Sequence, residues 1–137
     1  MHRLVDTYRP MREEVRSRKP TDLELIGLAG ILHSFYSGFE NIFKRISQDI
    51  DGDFRKTPSW HAELLEKMAL PTPKRSAVIT EDLKLQLQFY LSFRHVFRSL
   101  YSHDPNWSKM KELVWQSEKI LQLVEKELGE FMNKDTV

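Results

Sequence analysis

A chain of 137 residues, 40% hydrophobic and 30% charged, is long enough to bury a real core and reads as one soluble helical domain over 1–137. It contains no Cys, which excludes disulfide frameworks, thiolate zinc sites and cysteine nucleophiles. The net charge of +1 gives no bulk case for nucleic acid. No apolar run approaches the ~20 residues of a membrane span, and no apolar signal core opens the chain. The expectation is a cytoplasmic protein without membrane contact.

In chain order, Leu4, Tyr8, Met11 and Val15 recur at helical spacing and predict a first helix within 4–19. Pro10 argues that it starts or kinks near Tyr8-Arg9, and Pro20 ends it. Residues 1–20 form a basic arm: Arg3, Arg9, Arg12, Arg16, Arg18 and Lys19 stand against Asp6, Glu13 and Glu14. Such an arm can meet phosphate, a partner's acidic face or plain water.

Thr21-Asp22-Leu23-Glu24 has the form of a capping box. It opens the clearest helix, with Leu25, Leu28, Leu32, Phe35, Phe39, Ile42 and Ile46 in steps of three and four and Ala29, Tyr36 and Phe43 widening the stripe. Gly27, Gly30 and Gly38 inside it suggest close approach of another helix, and Asp51-Gly52-Asp53 stops it. Thr57-Pro58-Ser59 opens a short helix with Trp60, Leu64, Leu65 and Met68, broken at Pro71-Thr72-Pro73. Thr80 caps the next helix, which has Glu81 and Asp82 in its first turn and runs to about Ser102. Asp104-Pro105 then opens a last helix bearing Trp107, Met110, Val114, Leu121, Leu128 and Met132, with a frayed tail at 134–137. The reading is all-α: an antiparallel helical bundle of about four long helices plus one short helix.

The chemistry concentrates in the fourth helix. Between Glu81-Asp82 and Asp104 there is no acidic residue, so Lys84, Arg94 and Arg98 lack neutralising neighbours in that stretch. At 100° per residue, Phe89, Phe93, Val96, Phe97 and Leu100 share an apolar sector, while Arg94, His95, Arg98, Ser99 and Tyr101 form a polar patch. A solvated face of an amphipathic helix gives the same pattern. The line His95–Ser99–His103 drifts about 80° over its eight residues and has no acid partner, so no metal is expected. His33 and His61 read as core-touching polar residues. Cleaving RNA without metal needs a base, an acid and cations for the phosphate. Imidazole suits the proton transfers and guanidinium the phosphate. One helix cannot surround a phosphodiester, so a second copy across a twofold axis is expected.

Three segments carry a family resemblance: Leu32-His33-Ser34-Phe35-Tyr36-Ser37-Gly38-Phe39-Glu40-Asn41-Ile42-Phe43, Trp60-His61-Ala62-Glu63-Leu64-Leu65-Glu66-Lys67-Met68, and Phe93-Arg94-His95-Val96-Phe97-Arg98 with Tyr101. In this order, across most of 21–130, they resemble the HepT-like HEPN proteins. The resemblance implies an all-helical HEPN fold, a homodimer, and a ribonuclease toxin acting on RNA (tRNA or mRNA) without metal or other cofactor. It also implies an antitoxin that is a small MNT-type nucleotidyltransferase. Arg94 matches the motif Arg, His95 the polar residue after it, and Tyr101 the Tyr that such partners AMPylate. A charged adenylate on Tyr101 would fill the cleft and repel RNA phosphate. The motif His position is Ser99, which cannot act as an imidazole does. Three readings stay open: the copy is catalytically silent and only binds its partner, His95 takes over, or Arg98 and His103 form the working pair one turn on.

Overall fold

Thr21 begins the central helix as expected: its Oγ1 accepts from the Glu24 N–H at 3.2 Å, while Glu24 Oε1 accepts from the Thr21 N–H at 2.9 Å. In the computed structural model, which describes residues 2–99 and 107–135, this box opens α2 (Asp22–Ile46). Around it lie α1 (His2–Glu14), α3 (Trp60–Met68), α4 (Glu81–Ser99) and α5 (Trp107–Asp135). Every one of these packs on α2; α1 also meets α5, and α4 meets both α3 and α5. The fold is an all-α bundle, and the short third helix is the one the sequence predicts. No helix among the described residues is long and apolar enough to cross a membrane.

The stripe of α2 is the core. Phe35, Tyr36, Phe39 and Phe43 are all but completely buried, with Leu25, Leu28 and Leu32 above them. Each such side chain contributes about 1.5–3 kcal/mol of burial. The far end of the stripe is narrower than its spacing suggests, because Ile42 is 41% exposed. Gly27 and Gly30 do not admit a neighbouring helix: a Cβ at either position would meet nothing within 4 Å. The close-approach expectation is therefore wrong for both, since that flank of α2 is open.

Two long-range ion pairs shape the ends of the bundle. Arg12, only 4% exposed, donates to Glu118 at 2.7 Å, and Arg9 donates to the same carboxylate at 2.8 Å. These contacts clamp α1 to α5, in a helix that begins well before Pro10 and carries it inside. Arg18 binds Glu24 and Glu14. Much of the basic arm is thus spent within the molecule.

After α2 the chain widens into one π turn, Ser47–Asp51, and stops at Gly52, whose φ of +69° suits a residue without Cβ. The buried Asp51 receives two bonds from Arg75, Nε at 2.8 Å and Nη2 at 3.0 Å. Arg75 Nη1 also donates to the carbonyls of Leu70 and Ser76. The 69–80 connection, which contains the Pro71-Thr72-Pro73 break, is fastened to the end of α2 by this fork.

Candidate functional site on the fourth helix

Helix α4 is fixed to α5 at two points along its length. At its start, Thr80 Oγ1 accepts from the Leu83 N–H at 3.2 Å, and Thr80 donates from its N–H and hydroxyl to Glu127 of α5 at 2.6 and 3.1 Å. Midway, the Tyr90 hydroxyl donates to the Leu113 carbonyl of α5 at 2.8 Å. From Tyr90 the backbone continues as α-helix through Ser99, so Arg94, His95, Arg98 and Ser99 stand on one uninterrupted helical run. Tyr101 and His103 lie outside the described residues, as does Asp104-Pro105.

Two expectations for this helix change. Lys84 is not an unneutralised cation. It is buried, with Nζ 2.9 Å from Glu66 and 2.8 Å from Glu81, and the hydrogen bonds to Glu81 and then Glu66 raise its pKa. It is a brace between α3 and α4. Phe89, placed in the apolar sector by its spacing, is 66% exposed, and Leu85 one turn earlier is 48% exposed. Periodicity marks an apolar face but does not say whether this chain or another covers it.

Beside Phe89 lies a groove of about 540 Å³ between α4 and α5. Its walls include Phe89, Phe93, Leu113 and Ile120, with Gln86 and Glu112 among its polar edges. Phe93, one residue before Arg94 in the chain, belongs to its lining. Sequence reading missed the groove because its two walls come from different helices and the gap between them is a property of packing.

His61 sits where the sequence suggests, at the start of α3 against the core. Its ring stacks on Trp60 at 3.7 Å and its Nδ1 donates to the buried Glu40 at 2.9 Å. That pairing gives it a structural partner and ties α3 to α2.

A long second helix with a broad buried face, a short third one and a fourth bearing two arginines and a histidine define a HEPN-type helical protein. The chain belongs to the HepT-like family: the family's model, described as HepT-like protein, matches residues 27–134. No curated protein and no solved structure matches it.

Proposed function

We propose that this chain is the toxin-like member of a toxin–antitoxin pair, a metal-independent ribonuclease working in a cleft between two copies. In this reading Arg94 and Arg98 hold the scissile phosphate and His95 transfers protons. Tyr101 is the control point, AMPylated by an MNT-type nucleotidyltransferase. The observation that carries the proposal is the unbroken helical run from the exposed Phe89 to Ser99, in a chain of the HepT-like family. The apolar groove beside Phe89 supports the twofold arrangement. A second copy covering it would bring two α4 helices together near Arg94, supplying the opposed groups that one helix lacks.

Ser99 at the motif His position favours a second reading, a silent HEPN module that pairs with its own copy and with the nucleotidyltransferase but does not cut. Incubating purified protein with total tRNA in chelator separates the two. Defined fragments that vanish in Arg94→Ala support the nuclease. No fragments from the natural chain, with fragments from Ser99→His, establish the silent module. Intact mass after incubation with the partner and ATP reads adenylates on Tyr101.

A further inference from the structure

A second cleft, of about 290 Å³, opens where the π turn after α2 meets α3. Phe54 and Trp60 form its aromatic wall, edge to face at 5.4 Å between centroids. Lys44 Nζ lies 5.4 Å from the Phe54 centroid and 5.6 Å from that of Trp60. Arg55 lines the same cleft and Lys56 follows it, both exposed. Neither has a hydrogen-bond or ion-pair partner among the described residues.

The carboxylates of the cleft are already committed. Glu63 accepts from the Ser59 hydroxyl at 2.6 Å and from Thr57 at 2.9 Å, and those bonds lower its pKa. Asp53 is paired with Lys67, whose hydrogen bond lowers the Asp53 pKa in the same way. Asp53 and Lys67 cancel, and Glu63, whose hydroxyl bonds leave its charge in place, offsets one cation, so Lys44 over the rings, Arg55 and Lys56 leave an excess of positive charge around the aromatic recess. Such a combination fits a nucleic-acid strand whose bases are unstacked: the cations track phosphates and an aromatic wall takes a base. A duplex, with its bases stacked inside, offers nothing to the recess.

We propose that this cleft is a second contact for single-stranded RNA, separate from the motif on α4, in which Arg55, Lys56 and Lys44 hold phosphates flanking a base lodged against Phe54 and Trp60. The proposal rests on the RNA reading above. It makes the α2–α3 junction a positioning surface that selects unpaired substrate.

The test is fluorescence anisotropy with a labelled 2′-O-methyl oligouridine, which lacks the attacking hydroxyl and survives intact. The double variant Arg55→Gln/Lys56→Gln changes only exposed side chains, and its thermal unfolding is expected to match that of the natural chain. Its affinity is expected to fall about tenfold, with a flatter salt dependence, as befits two lost phosphate contacts. Affinity and salt slope equal to those of the natural chain would overturn the cleft assignment and leave the nuclease proposal standing. Unchanged RNA affinity with lost capture of the nucleotidyltransferase would also overturn it, assigning the cations to a protein face. An equal loss on duplex RNA of matched length would overturn the single-strand selectivity. Absence of any binding by the natural chain would remove the RNA reading itself.

Discussion

The Tyr90 hydroxyl donates to the Leu113 carbonyl across 2.8 Å, joining α4 to α5 at the wall of the apolar groove. This bond sits four residues before Arg94, so it fixes the helical turn from which the motif continues. Tyr90→Phe keeps the ring and its packing on Phe35, 5.5 Å away between centroids, and removes only the donor. A loss of about 0.5–1.5 kcal/mol is expected in urea unfolding.

Phe89→Glu probes the groove without touching the core. A side chain that is two-thirds exposed contributes little to the single-chain fold, and thermal stability is expected to shift by no more than about 0.5 kcal/mol equivalent. Sedimentation is the informative readout. The natural chain is expected to run as a dimer and the variant as a monomer, since a carboxylate placed opposite its symmetry copy repels. A variant that remains dimeric would put the interface elsewhere.

Arg75→Ala removes the fork from the buried Asp51 and leaves that carboxylate without its two donated bonds. Breaking one side of a buried pair costs about 3–5 kcal/mol. The expected outcome is a large drop in the urea midpoint, with the 69–80 connection becoming the first site of proteolysis.

Acid is expected to weaken the contacts that hold α1 and the segment after it. The hydrogen bond from Arg12 and the charges of Arg12 and Arg9 lower the pKa of Glu118, and the hydrogen bond from Arg18 takes Glu24 to about 2. For a carboxyl with a lowered folded pKa, the stabilisation is full above the ordinary value of 4.5 and is lost as pH falls through the folded one. Stability should therefore be flat above about pH 5 and fall below about 4.5. Glu118→Gln should be less stable at pH 7 and show a weaker acid dependence, measured by circular dichroism across the titration.

The helices were legible in the chain because their signals are local. The capping box at Thr21, the stripe through Phe35 and Phe43, the glycine stop at Gly52 and the cap at Thr80 each lie within one or two turns. What stayed hidden depends on distance in sequence. Arg12 and Glu118 are 106 positions apart, and Asp51 and Arg75 are 24 apart. No periodicity announces either pair. Lys84 looked uncompensated because the stretch after Glu81-Asp82 holds no acid, yet its Nζ turns back to Glu81 and across to Glu66 on another helix. Gly27 and Gly30 looked like contact points, yet face open space, because composition does not say what stands opposite. For the site, the run Arg94–Ser99 was legible as helix, while the grooves beside Phe89 and Trp60 exist only once helices pack. A basic-aromatic signal for the second cleft, Phe54-Arg55-Lys56, stands between the Gly52 stop and the helix of Trp60, and it went unread because neither neighbouring element includes it.

The most direct measurement is RNA digestion in chelator by the natural chain, Arg94→Ala and Phe89→Glu side by side. Defined fragments are expected from the natural chain, with at least about a hundredfold loss in Arg94→Ala from the missing phosphate clamp. A comparable loss is expected in Phe89→Glu from the missing second copy. Undiminished cutting by either variant, or no cutting by the natural chain, would contradict a nuclease cleft built from two α4 helices.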